Sequence, residues 1–87
     1  MPTVTIPLLF KDLTGGTRET EVDAATVGEI IDALDRRFPG LGAQLVEDGR
    51  VVVNLAIVVD GRIAADGLAT PVEPGSRVNI LPAFGGG

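Results

Sequence analysis

The chain of 87 residues is long enough for one small domain and too short for two separate cores. It contains neither cysteine nor histidine, which excludes thiol nucleophiles, disulfides, the usual zinc sites and the commonest general base at neutral pH. The formal net charge of -5, with only seven basic residues, argues against nucleic-acid binding. Such an acidic surface is typical of a protein that docks on basic patches of other proteins.

Residues 3–10 alternate between apolar and other side chains, and this pattern predicts a half-buried strand. Pro7 lies within it and has no N–H for a sheet ladder, so we expect an edge position or a bulge there. Residues 11–17 contain Gly15 and Gly16 and predict a turn. A phosphate-binding loop is the alternative, but no G-x-x-x-x-G-K pattern supports it, and the turn is favoured.

The segment of residues 18–22 is polar and predicts a charged edge strand. Its two glutamates, Glu19 and Glu21, also fit a carboxylate pair for acid–base chemistry. No pocket is evident around them, so protection of a sheet edge against aggregation is the favoured interpretation.

One amphipathic helix is predicted from Thr26 onward. Thr26 and Glu29 form a capping box, and apolar residues then recur at spacings of three and four until Pro39 and Gly40 end the helix. Arg36 and Arg37 lie in its last turns, where a solvated face is favoured over a docking patch.

The second half of the chain predicts three further strands. Residues 51–59 form a β-branched and aliphatic run that ends at Asp60 and Gly61, a strong hairpin signal before a short strand at residues 62–63. Pro74 and Gly75 suit the central pair of a type II turn. Residues 77–81 then alternate with Val78 and Ile80 inward, and Pro82 ends the strand. One helix over a mixed sheet is an α+β roll.

Three segments carry a resemblance to a known family: residues 26–41 (TVGEIIDALDRRFPGL), residues 67–84 (GLATPVEPGSRVNILPAF) and the terminal glycines. Together they resemble the ubiquitin-like sulfur carriers, relatives of the small subunit of molybdopterin synthase and of the thiamin sulfur carrier. Within that family, LTGGTRE (residues 13–19), GLAT (67–70) and ILPAF (80–84) are most similar to the carrier of the mycobacterial-type cysteine pathway.

The resemblance implies a β-grasp (ubiquitin-like) fold, with a mixed sheet of four to five strands and one main helix. We expect the domain to occupy residues 1–84 and a flexible glycine tail to occupy residues 85–87. Gly86 and Gly87 match the functional pair of the family, with Gly87 as the site of adenylation and thiocarboxylate formation. Gly85 departs from the small non-glycine residue common there and loosens the tail, while Phe84 is expected to contact the activating enzyme, to close the core, or both.

A terminal carboxylate has a pKa of about 3.3 to 3.7, so at neutral pH it is an anion and must be activated before it reacts. The family uses an E1-like adenylating enzyme and its ATP, followed by attack of a sulfur donor. The resemblance therefore implies a carrier with no catalytic side chain, no bound cofactor and no metal. Its partners would be the E1-like enzyme and a sulfur-accepting biosynthetic enzyme such as a cysteine synthase.

Two other functions share the same terminus. The chain is alternatively the small subunit of a molybdopterin-synthase-like enzyme, or a ubiquitin-like modifier that is joined through Gly87 to lysines. No apolar run approaches the length of a membrane span, and no signal-peptide pattern opens the chain. We therefore expect a cytoplasmic protein without membrane or nucleic-acid partners, monomeric when free.

Overall fold

The strands assemble around one long helix in the computed structural model, which describes residues 1–83. Within this range the helices and strands are, in chain order, β1 (Thr3–Thr5), α1 (Lys11–Thr14), β2 (Glu19–Glu21), α2 (Val27–Arg37), α3 (Leu41–Leu45), β3 (Val46–Glu47), β4 (Arg50–Val51), β5 (Leu55–Val59), β6 (Arg62–Ile63) and β7 (Arg77–Pro82). Short 3-10 turns occupy Leu8–Phe10 and Gly67–Ala69.

The main sheet has the order β2-β1-β7-β5-β6, so β7 lies in its centre. Strands β1 and β7 pair in parallel, and the other neighbours are antiparallel. Strands β3 and β4 form a separate two-stranded hairpin. Helix α2 packs its apolar side on one face of the main sheet, and the core there contains the almost fully buried Ile30, Leu34, Val4, Val78 and Ile80. The predicted α+β roll, with a mixed sheet and one main helix, is confirmed.

The predicted strand over residues 3–10 is wrong beyond Thr5. The segment is also not at an edge, because β1 lies between β2 and β7. If the register of β1 on β7 continued, Pro7 would face Leu81, where a proline can donate no hydrogen bond. The chain instead forms a 3-10 turn, closed by the Phe10 N–H on the Pro7 carbonyl at 3.2 Å, and Phe10 enters the core.

The predicted turn over residues 11–17 is only partly right, since residues 11–14 form helix α1. Gly15 ends that helix with a φ of +64°, and Gly16 follows with a φ of +87°. The structure therefore uses this glycine pair as a turn, for which positive φ values favour glycine.

Strand β2 lies at one edge of the sheet, as its charged sequence predicts. The predicted helix is confirmed as α2, with the Glu29 N–H on Thr26 Oγ1 at 3.2 Å. The Glu29 carboxylate accepts the N–H of Ala25, one residue before the cap, at 2.9 Å. Arg37 is not merely solvated, since its Nη1 donates to Thr20 Oγ1 and, at 3.1 Å, to the Glu21 carbonyl.

Residues 41–54 differ most from the prediction. Helix α3 is absent from the sequence-based expectation, and its Leu41 and Leu45 are completely buried. Its N-terminus is capped by Asp35, whose Oδ1 accepts the Gly42 N–H at 2.9 Å. The predicted strand over residues 51–59 is interrupted, because residues 52–54 form a turn between β4 and β5.

The hairpin at Asp60 and Gly61 is confirmed, with φ values of 50° and 85° and Val59 opposite Arg62. The turn at Pro74 and Gly75 is present, closed by the Ser76 N–H on the Glu73 carbonyl at 3.0 Å. It is not type II, because Gly75 does not have the positive φ that this type requires.

Candidate functional site

The candidate site begins where β7 leaves the sheet. Leu55 of β5 pairs with Pro82, and the next backbone contact is the Ala83 N–H on the Asn54 carbonyl at 2.8 Å. The predicted site residues Phe84, Gly85, Gly86 and Gly87, and with them the predicted boundary between domain and tail, lie outside the described residues. The structure therefore describes the residues that directly precede this predicted site.

The opposite end of β7 is held by a side chain. The Asp60 carboxylate accepts the Arg77 N–H at 2.9 Å and the Ser76 hydroxyl at 2.7 Å. These donors, first the Arg77 amide and then the Ser76 hydroxyl, lower the pKa of Asp60 below its ordinary value. Because the Ser76 carbonyl also accepts the Thr3 N–H at 3.0 Å, this contact joins β7, β1 and the β5–β6 hairpin.

The face of the sheet away from α2 divides into a polar and an apolar half. On the polar side, Arg77 forms an ion pair with Glu19 at 3.2 Å, and both side chains are more than half exposed. On the other side, the register places Leu81 beside Ala56 and Ile63 beside Val58. These four residues form an apolar strip, in which Leu81 is 44% and Ile63 is 72% exposed.

A second surface, the end cleft, adjoins Ala83 and has both polar and apolar groups in its lining. Its lining includes the exposed Leu9, Val53 and Glu47 and the buried Phe10 and Leu55. Asn54, which binds the Ala83 N–H, also lines this cleft. Sequence reasoning missed the end cleft because residues 51–59 were interpreted as one continuous strand.

The described residues offer little side-chain chemistry. Within residues 1–83, no group of three acidic side chains is placed to hold a metal ion. Glu19 is engaged by Arg77, and Glu21 lies exposed two residues further along the same edge strand. No helix in residues 1–83 has the length and apolar content needed to cross a membrane. The described part of the chain ends at Ala83, directly after the central strand β7.

A mixed five-stranded sheet packed on one main helix, with the last strand in its centre, defines a ubiquitin-like β-grasp protein. The model of the ThiS family matches residues 4–87, and the chain belongs to that family.

Three relatives illustrate the range of the family. Small archaeal modifier protein 3 of Haloferax volcanii is 36% identical over 67 residues, which cover 75% of this chain and 73% of that protein. Sulfur carrier protein CysO of Mycobacterium tuberculosis is 31% identical over 90 aligned residues, covering 98% of this chain and 97% of CysO. The structure of the Amycolatopsis orientalis BexX/CysO complex matches with a TM-score of 0.91 and 35% identity over 100% of both chains. These matches confirm the predicted sulfur-carrier and ubiquitin-like relationship.

Proposed function

We propose that this protein is a sulfur carrier whose Gly87 carboxylate becomes a thiocarboxylate. An E1-like enzyme joins the carboxylate to the AMP portion of ATP and releases pyrophosphate. A sulfur donor then attacks the acyl carbon and displaces AMP. The thiocarboxylate delivers sulfide to a biosynthetic enzyme, for which a cysteine synthase is the first candidate because of the likeness to CysO.

The position of β7 is the observation that carries this proposal. The strand is central, it is hydrogen-bonded as far as Ala83, and the glycines of the expected tail follow directly. Glycine suits an acyl terminus that enters a narrow active site, because it has no Cβ and adopts φ values of either sign. The chain acts as a co-substrate of its partners, and their active sites supply the catalytic groups.

The domain surface has a clear role in this scheme. Ordering a free chain costs about 1 to 2 kcal/mol per residue in backbone entropy, and contacts elsewhere must offset that cost. The apolar strip that ends at Leu81 provides such contacts next to the tail. The solved complex of CysO with BexX supports a function in which the carrier binds partner proteins. We place the carrier in the cytoplasm, where it is monomeric between these encounters.

Intact-mass spectrometry tests the proposal. The purified chain is incubated with the E1-like enzyme of the same organism, ATP and a sulfide source, and the expected product has one oxygen replaced by sulfur. A reaction without ATP and a chain lacking Gly87 serve as controls, and both should keep their starting mass. An unmodified Gly87 terminus, with an enzyme that demonstrably adenylates another carrier, would refute the proposal.

The 36% identity to a small archaeal modifier protein favours one second function, conjugation of Gly87 to lysines of other proteins. That function uses the same adenylated terminus but ends in an isopeptide bond. Proteolysis of cell extracts followed by a search for Gly-Gly remnants on lysines distinguishes the two. Remnants that disappear when Gly87 is deleted would establish the modifier role.

A further inference from the structure

Another cleft, the helix cleft, opens on the helical side of the domain between α2, α3 and the 3-10 turn at Gly67–Ala69. Its volume is about 510 Å³. The lining is mainly aliphatic, and the only ionisable groups in it are two carboxylates. The side chains that define the helix cleft are Ile31, Ala43, Val46, Leu68, Asp32 and Asp35.

The walls of the helix cleft are fixed by close contacts at two glycines. A Cβ at Gly42 would lie 3.0 Å from Cγ of Asp35, and a Cβ at Gly28 would lie 3.2 Å from the carbonyl oxygen of Leu68. Because both glycines lack a side chain, α3 and the 3-10 turn can lie this close to α2. The cleft is therefore part of the folded domain and does not have to form when a ligand arrives.

The two carboxylates leave the helix cleft with uncompensated negative charge. Asp35 Oδ1 accepts the N–H groups of Gly40 at 3.2 Å and Gly42 at 2.9 Å, which fixes the carboxylate in place but brings no opposite charge. Asp32 lies one turn earlier on α2 and is exposed. Within residues 1–83 the one ion pair joins Arg77 to Glu19, so neither carboxylate of the cleft is paired with a basic side chain.

We propose that the helix cleft binds an arginine side chain of a partner protein. The aliphatic stem of the arginine packs on Ala43, Val46 and Leu68, as long basic side chains do on apolar surfaces. Its planar guanidinium group carries several N–H donors and donates to the carboxylates of Asp32 and Asp35. This inference does not depend on the proposed function, because it uses no residue of the expected tail.

The chemistry of the cleft selects this occupant over three others. A metal ion would find no group of three suitable ligands within residues 1–83, and it would make no use of the aliphatic lining. The chain's own residues 84–87 are one phenylalanine and three glycines, and they bring no cation to the carboxylates. A second copy of the chain carries the same net charge of -5, so the two molecules repel each other.

The test is a titration of the ¹⁵N-labelled chain with the peptide N-acetyl-Gly-Arg-Gly-amide at low ionic strength, followed by NMR. We expect saturable shifts of the amide resonances of residues 42–46 and 67–69. The same peptide with citrulline in place of arginine is the ligand control, since citrulline keeps the shape of the side chain but lacks the charge. It should produce no saturable shifts, because only the cation is attracted to the carboxylates.

Three variants with the same net charge show whether the helix cleft itself binds the peptide. Asp32→Asn removes one carboxylate, and Ala43→Lys places a cation of the chain at the edge of the cleft. Each should raise the Kd of the arginine peptide at least about five-fold. Asp12→Asn removes a carboxylate at an exposed position outside the cleft and should leave the Kd within about two-fold of the parent.

The opposite results would overturn the inference. Equal binding of the arginine and citrulline peptides would mean that the carboxylates do not select the ligand, and equal weakening by Asp32→Asn and Asp12→Asn would mean that the peptide senses only the net charge. Asp32 and Ala43 are both exposed, so we expect melting temperatures equal to that of the parent. If Asp32→Asn is nevertheless destabilised, Ala43→Lys provides the independent comparison.

The chain itself is tested as an occupant in the absence of peptide. If deletion of residues 84–87 shifts the amide resonances of residues 42–46, the tail covers the helix cleft and the inference is wrong. If the parent self-associates in sedimentation and Ala43→Lys abolishes the association, a second copy is the occupant, with the same consequence. Unshifted resonances and a monomeric parent support a partner protein as the source of the arginine.

Discussion

Replacement of Gly28 by alanine tests how the start of helix α2 is packed. Gly28 is the second residue of α2, and alanine at a helical position is favoured over glycine by about 1 kcal/mol. A Cβ at this position, however, would lie 3.2 Å from the carbonyl oxygen of Leu68 and 3.5 Å from its Cβ. The first distance is shorter than ordinary van der Waals contact, so the Leu68 segment must move.

Two hydrogen bonds restrict the movement of the segment around Leu68. Leu68 lies in a 3-10 turn closed by the Thr70 N–H on the Gly67 carbonyl at 3.1 Å, and the Thr70 carbonyl accepts the Val27 N–H at 2.9 Å. The turn is thus tied to the same helix that carries the new methyl group. Overpacking of this kind costs about 1 to 3 kcal/mol. Against a helical gain of about 1 kcal/mol, we expect Gly28→Ala to destabilise the domain by about 1 kcal/mol, which lowers Tm by about 4 to 8 °C.

Urea unfolding followed by circular dichroism measures this difference. Ala33→Gly, in the same helix, is the matched control and should cost about 1 to 2 kcal/mol, because it removes helix propensity and a partly buried methyl group. If Gly28→Ala instead stabilises the protein by about 1 kcal/mol, the close approach of Leu68 does not constrain this position and the reasoning is wrong.

Three further predictions follow from the same geometry. The hydrogen bonds from Arg77 and Ser76 lower the pKa of Asp60 below 3.8, so the stabilisation by its carboxylate is present at neutral pH and is lost as the pH falls through the folded-state pKa. We therefore expect Asp60→Asn to be less stable than the parent at pH 7. The difference in urea midpoint between the two proteins should shrink below pH 3.8. Arg37→Met removes exposed hydrogen bonds to β2 and should cost about 0.5 to 1 kcal/mol in urea unfolding, whereas an unchanged midpoint would mean that these contacts contribute nothing. Deletion of Gly87 should abolish thiocarboxylate formation in the mass assay and leave Tm unchanged; a large drop in Tm would show that the terminus is packed.

Local patterns predicted the elements that depend on neighbouring residues. The capping box of Thr26 and Glu29 and the helical spacing located α2, and Asp60 with Gly61 located a hairpin whose two positive φ values suit those residues. Local patterns failed where a tertiary contact decides. Pro7 stops β1 only because β7 lies alongside, and helix α3 forms because Leu41 and Leu45 fill the space beside α2.

At the candidate site, too, some features follow from the local sequence and others from tertiary contacts. The prediction that Gly87 is the reacting group rests on the terminal glycines, on the residues before them and on the family resemblance, and it stays a prediction. The contacts that hold strand β7 in place are formed by residues far away in the sequence. Asn54 holds Ala83 through a backbone carbonyl, and Asp60 holds Arg77 across 17 positions in the sequence. Such pairs follow from the register of β5 on β7, which residue types alone did not specify.

If Gly87 is the reacting terminus, as proposed, the register of β7 also limits the number of residues that an enzyme must order. Strand β7 is hydrogen-bonded along β5 from Val78 opposite Val59 to Pro82 opposite Leu55, and Ala83 continues that pairing. If the pairing ended one or two residues earlier, each released residue would add about 1 to 2 kcal/mol to the entropy cost of ordering the tail in an enzyme. Because the pairing reaches Ala83, that cost would be limited, in the proposed function, to the four residues 84–87. In the proposed function, the same contacts would bring an enzyme that binds the Gly87 carboxylate close to Leu81, so strand β7 would link the apolar strip to the reacting terminus.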